Sequence, residues 1–276
     1  MLRVARRVLV WIEPFLYYSL KIGIPGPAAG VEDSAAESRS LLVHAALAKT
    51  DVLLCNPVRH LVLGLQFALQ LAQMTDADKK KLGNMTNVVF LAFAGITDDH
   101  VLQLISAMPV RRLACNLEGI IGLSSLVNDD PQTIAASPIF RRVTHFDVFD
   151  DDSESTSYMF AVLAHLPALT HLAISYEHVD EDDPQSMDNI KAFLAGCPAL
   201  QIMVCLSPTG VLGDNIEPVA MDEEIDIRFV SCGYTEWDEG VSYDTVTFWD
   251  RAEAVVARRR AQAARESLHN NVISGV

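Results

Sequence analysis

Leu169-Thr170-His171-Leu172-Ala173-Ile174 places large apolar residues at its first, fourth and sixth positions, and that spacing recurs along the chain. The same pattern stands at Val58-Arg59-His60-Leu61-Val62-Leu63, Met85-Thr86-Asn87-Val88-Val89-Phe90 and Val110-Arg111-Arg112-Leu113-Ala114-Cys115. It returns at Val143-Thr144-His145-Phe146-Asp147-Val148 and Leu200-Gln201-Ile202-Met203-Val204-Cys205. Short runs of this kind read as buried strands, and their recurrence makes each one copy of a repeat.

The first positions 58, 85, 110, 143, 169 and 200 are separated by 27, 25, 33, 26 and 31 residues, in or just beyond the range of leucine-rich repeats. Between strands the apolar period lengthens to that of a helix. Thr97 caps a stripe of Val101, Leu104, Ile105 and Met108 that Pro109 ends; Ser155 does the same for Met159, Val162, Leu163 and Leu166, and Ser186 for Met187, Ile190, Phe193 and Leu194. Residues 119–138 carry the weakest helical pattern. One such unit cannot bury both of its faces, so units stack. The expected fold is α/β: an irregular leucine-rich-repeat-like solenoid with parallel strands and helices on the outer face. Eight residues after each first position stand Gln66, Phe93, Glu118, Asp151, Glu177 and Pro208. None is the usual ladder asparagine, so the repeats are degenerate.

The domain reading follows. Residues 1–24 form a short helix with Val4, Val8, Trp11, Ile12 and Phe15 on one face, and 25–40, rich in Pro, Gly, Ala and Ser, form a linker. Residues 41–267 are the solenoid, closed by Ile225–Val230 as a last strand and by a helix whose stripe of Phe248, Trp249, Ala252, Val255 and Val256 caps the final repeat. Arg258, Arg259 and Arg260 suit that helix's C-terminal end, and residues 268–276 are a frayed tail.

Half of the 276 residues are hydrophobic, enough for an ordered core, and a formal charge of −15 argues against nucleic-acid binding, which needs a basic footprint. The five cysteines are scattered, form no C-x-x-C and fall partly on apolar repeat positions, which suits the reducing cytoplasm or nucleus. No apolar run is long enough to span a membrane, and the run from Val8 is broken by Glu13 and Pro14.

Arg6-Arg7-Val8-x-x-Trp11-Ile12-Glu13-Pro14-x-Leu16-Tyr17 resembles the final part of the F-box-like segment of fungal F-box and leucine-rich-repeat proteins. Val58-Arg59-His60-Leu61 is similar to the first repeat of that family, and Trp237-Asp238 followed by Phe248-Trp249-x-Arg251-Ala252-Glu253 is similar to its ending. The resemblance implies a substrate receptor of a ubiquitin ligase, in which the F-box docks a Skp-type adaptor through residues 1–24 while the repeats hold a protein substrate. The Leu-Pro start of that segment is lacking, which implies a truncated or alternatively started member with an incomplete adaptor surface. The alternative is a stand-alone repeat scaffold without a ligase role, and a more remote one is an enzyme on an α/β sheet.

With the repeat's apolar positions pointing inward, the residues between them project onto the open face of the sheet. One row reads His60, Asn87, Arg112, His145, His171 and Ile202, and its five polar members are the expected partner-binding residues. Neighbouring histidines on adjacent strands reach a shared ligand, but no metal or cofactor is expected. The next row, Val62, Val89, Ala114, Asp147, Ala173 and Val204, is small and mostly apolar, so another surface, a partner or the N-terminal segment, covers this face. Acidic groups at Asp147 and Asp150–Glu154, at 180–183 and at 222–226 read as solvated loops on one rim. There is no G-x-S-x-G, P-loop, H-E-x-x-H or dinucleotide glycine set, and no enzyme is expected.

Overall fold

The computed structural model describes residues 18–22, 57–64, 74–94, 99–121, 129–149, 156–175, 184–208, 226–234, 239–241 and 246–274. The helices expected at Val4–Phe15 and after Ser40, the linker, and the acidic groups at 150–154, 180–183 and 222–224 lie outside them. Two compact units divide the chain, Met1–Val143 and Thr144–Val276. Each is an α/β unit with four parallel strands in chain order.

In the first unit the strands are β1 (Ser19–Ile22), β2 (His60–Leu63), β3 (Phe90–Phe93) and β4 (Arg112–Cys115). Leu20, Leu61, Leu91 and Leu113 share one register position, and Ile22, Leu63, Phe93 and Cys115 another. All of these except half-buried Leu20 are buried, so the fourth and sixth positions of the repeat do point into the core. The helices are α1 (Asp76–Gly83), α2 (Asp99–Ser106) and the short α3 (Leu117–Ile121) and α4 (Pro131–Ala135), followed by a 3₁₀ turn at Pro138–Phe140. Thr75 starts α1 by accepting from Asp78 N at 3.2 Å. On α2, Val101 and Ile105 are buried with the following Met108, as their spacing implies.

Two expectations need correcting here. Residues 19–22, placed in a helical segment, are a strand: after Pro14, Tyr17-Tyr18-Ser19-Leu20-Lys21-Ile22 carries the repeat's own spacing, and Arg59 N and His60 N donate to Tyr18 O at 2.9 and 3.1 Å. The second repeat is shifted by three residues, since His60 pairs with Phe90 and not with Asn87. Val88-Val89-Phe90-Leu91-Ala92-Phe93 fits the pattern as well as the reading from Met85 does, and pairing selects it.

In the second unit the strands are β5 (His145–Val148), β6 (His171–Ser175), β7 (Ile202–Pro208) and β8 (Phe229–Tyr234). Phe146, Leu172, Met203 and Phe229 align in register and are fully buried. The crossover helices are α5 (Thr156–Ala164) and α6 (Pro184–Gly196), which bury Met159, Val162, Leu163, Ile190, Phe193 and Leu194. α6 starts two residues before Ser186, with Pro184 at its first position, where a missing N–H costs no hydrogen bond. Its end is closed from a distance: Arg228, gripped by Asp226 at 2.8 Å, donates to the carbonyls of Leu194, Cys197 and Leu200 at 2.7, 3.1 and 3.1 Å.

Right-handed crossovers between strands laid down in sequence put α5 and α6 on one face of this sheet. The other face belongs to α7 (Phe248–Ser274), which begins at a reciprocal Thr247/Asp250 cap with Thr247 N donating to Asp250 at 2.8 Å. Phe248, Trp249, Ala252, Val255 and Val256 pack on Ala173, Ile202, Val204, Leu206, Val230 and Cys232. The C-terminal helix therefore lies across the row face of the last strands. Each large side chain buried there contributes roughly 1.5 to 3 kcal/mol before conformational entropy is subtracted. The helix continues through Ser274, past Leu268 where fraying was expected.

The arginines taken for the end of this helix sit in its middle and hold the last strand. Arg228 O accepts from Met203 N, so in β8 the carbonyls of Phe229 and Gly233 point away from β7. Arg259 donates to Phe229 O at 2.6 Å and Arg251 to Gly233 O at 2.7 Å. An edge strand occupied in this way is a poor template for another chain.

Candidate functional site

Parallel strands about 4.8 Å apart bring in-register side chains to stacking distance, and both units use this on the row that includes His60 and His171. In the first unit the His60 ring lies 5.0 Å from that of Tyr18 and 4.1 Å from that of Phe90, the latter pair within 8° of parallel. The Arg112 guanidinium stands 5.2 Å from the Phe90 centroid. Tyr18, Phe90 and Arg112 are half-buried and His60 is buried, so the ladder offers aromatic edges and one cation. Asn87 is not on this row; it lies in the turn before β3, three residues from Phe90.

In the second unit the row runs His145, His171, Ile202. The two imidazoles stack at 4.0 Å and 5°, and Trp249 of α7 meets them edge-on, with centroids 5.4 and 5.9 Å away. Each histidine turns Nδ1 toward the hydroxyl of the threonine before it, at 3.0 Å for Thr144 and 2.8 Å for Thr170. His171 Nε2 is 3.5 Å from a Glu253 carboxylate oxygen.

Beside these histidines, Asp147 is not the rim acid of the sequence reading but a buried carboxyl. Burial raises its pKa well above the ordinary value, and the neighbouring Glu239 carboxylate adds to the rise. Glu239 pairs with Arg251 at 2.9 Å. Gly240 is required here by a close approach: a Cβ would stand 2.7 Å from Phe248 Cζ and 3.1 Å from Asp147 Oδ2. A cavity of roughly 40 Å³ borders Asp147, Ser175, Leu206, Tyr234 and Phe248, room for a water or two and not for an organic substrate.

The structure therefore keeps four of the five expected residues on the row, His60 and Arg112 in one unit and His145 and His171 in the other. Tyr18, Phe90, Trp249 and Glu253 were missed. Phe90 was legible from the alternative register; the spacing of 17–22 puts Ser19 on the row and not Tyr18, which reaches His60 from the residue before β1, and Trp249 and Glu253 follow only from where α7 lies. Among the described residues no helix is long and apolar enough to cross a membrane.

Nothing in the comparisons carries a family for this chain: no protein-family model, curated protein or solved structure matches it.

Proposed function

We propose that this is a protein-interaction module of the degenerate leucine-rich-repeat-like, solenoid kind, working in the cytoplasm or nucleus, and that it recognises a protein substrate for an F-box-type ubiquitin ligase. The observation that carries the interaction reading is the ladder Tyr18, His60, Phe90, Arg112, the last three in register on β2, β3 and β4 and Tyr18 just before β1, ending in a half-buried guanidinium over an aromatic ring. Aromatic and arginine side chains are the groups that anchor protein interfaces. Buried thiols at Cys115, Cys205 and Cys232 support a reducing compartment. The ligase role rests on the sequence resemblance at residues 6–17 and 248–253. In this chain Phe248, Trp249 and Ala252 of that ending serve to pack α7 on the sheet.

Two experiments separate the parts of the proposal. Co-purification with a Skp-type adaptor, by the present chain and by one extended upstream of Met1, tests the ligase role; if both fold and neither recruits an adaptor, the scaffold reading stands. Cellular capture by the wild type and by Arg112→Glu tests the recognition row. We expect the variant to lose its partner with an unchanged melting temperature, whereas equal capture would place recognition elsewhere.

A further inference from the structure

Three side chains from three elements of the second unit converge in a way the interaction reading does not use: His145 of β5, His171 of β6 and Glu253 of α7 offer ligand atoms within 4.8 Å of one another. We propose that they hold one divalent transition ion of the zinc type, through Nε2 of each histidine and a carboxylate oxygen. The sequence reading expected no metal, because it had no means of bringing Glu253 to the histidines.

The hydrogen bonds around His171 carry the argument. Thr170 donates its one hydroxyl hydrogen to Thr144 O at 3.0 Å, so toward His171 Nδ1, 2.8 Å away, its oxygen accepts. With the hydroxyl hydrogen on that carbonyl, a neutral His171 carries its hydrogen on Nδ1 and turns Nε2 toward Glu253. His171 Nε2 stands 3.5 Å from a Glu253 oxygen, a spacing served either by a proton on the ring or by a metal ion between the two. His145 also turns Nδ1 to a threonine hydroxyl, that of Thr144 at 3.0 Å, and its ring lies 4.0 Å from that of His171. A proton on His171 Nε2 would satisfy one pair only, whereas a metal draws on all three groups.

A histidine that keeps its second ring nitrogen on an oxygen partner is oriented as metal-ligating histidines are. Two histidines and a carboxylate make a three-ligand zinc set with the fourth position open to water. Bonds near 2.0 to 2.2 Å put neighbouring ligand atoms about 3.3 Å apart, so loading must draw the present atoms together and tilt the two rings out of their 5° stack until both nitrogen lone pairs meet at one point. Half-exposed Glu253 provides the way in, and Trp249 walls the two rings. Because the ligands belong to a helix and two strands, the ion would pin α7 to the sheet.

The test is titration of the full chain with Zn²⁺ by calorimetry and with Co²⁺ by visible absorption, repeated on Glu253→Gln and His145→Ala. Glu253 is solvent-facing, so its replacement leaves the fold intact. We expect one ion per chain, the absorption bands of low-symmetry four-coordinate Co²⁺, and a melting temperature that rises with Zn²⁺. Each variant should lose affinity by about tenfold or more. Absence of binding, as from a simple His171–Glu253 ion pair, would overturn the proposal. So would Zn²⁺ affinity unchanged in both variants, as from cysteines elsewhere in the chain.

Discussion

Trp249 donates its indole N–H to the carbonyl of Gly240 at 3.1 Å, tying the first turn of α7 to the 3₁₀ turn Glu239–Val241. The same turn holds Glu239 against Arg251 and leaves Gly240 no room for a side chain above Asp147. Helix, turn and sheet face are thus one packed body. In the second unit the apolar row that the sequence assigns to a partner or to the N-terminal segment is filled at Ala173 and Val204 by the C-terminal helix.

Asp147 should make that body sensitive to pH. Its carboxyl titrates well above the ordinary value of 3.8 because burial disfavours the charge and Glu239 repels it. The folded chain therefore holds this proton more tightly than the unfolded one, and the stability it contributes is complete below the ordinary value and lost as pH rises through the folded one. In urea unfolding from about pH 4 to about pH 8, Asp147→Asn should match the wild type at the acid end and exceed it increasingly toward neutrality. Parallel curves would mean that Asp147 is solvated.

Arg228 should matter out of proportion to its place in a turn. Replacement by Met removes the guanidinium from the carbonyls of Leu194, Cys197 and Leu200, of which Cys197 O keeps Leu200 N, and should cost about 2 kcal/mol or more in chemical unfolding. Asp226 behaves oppositely to Asp147: hydrogen bonding to Arg228 holds its carboxyl below the ordinary value. Its contribution is present above the ordinary value and lost as pH falls through the folded one, so Arg228→Met should also flatten the acid limb of the stability curve.

Leu172 tests the repeat register in the second unit. It is fully buried, aligned with Phe146 and Met203, and Leu172→Ala should destabilise by roughly 2 to 5 kcal/mol. A cost like that of a surface substitution would contradict the inward assignment of the fourth repeat position.

How much of this was legible follows from what each signal encodes. Spacing at the first, fourth and sixth positions located β2, β4, β5, β6 and β7, because alternate burial on a parallel sheet imposes it. It failed at β3, where Met85, Val88 and Phe90 satisfy one register and Val88, Leu91 and Phe93 another three residues on, and only pairing with His60 decides between them. At β8 the fourth position is Phe229 but the first and sixth are Asp226 and Ser231, so the strand begins later than expected. The small apolar row through Ala173 and Val204 announced a covered face. The stripe from Phe248 to Val256 is equally able to cover a face or an end, so the sequence did not say that one covers the other. The histidines were legible as neighbours; Glu253 was not, since its approach depends on that docking.

The central claim is that α7 covers the row face of the second unit, and Ala173 probes it most directly. Ala173 is fully buried in the cluster formed with Phe248, Trp249 and Ala252. The measurement is thermal unfolding of Ala173→Lys beside a control, Ala254→Lys, on the exposed side of the same helix. Beneath a docked helix the new charge has no water to reach, and we expect Ala173→Lys to lose about 3 kcal/mol or more while the control stays within about 0.5 kcal/mol of the wild type. A melting temperature for Ala173→Lys as high as that of the control would show the face to be open and contradict the account.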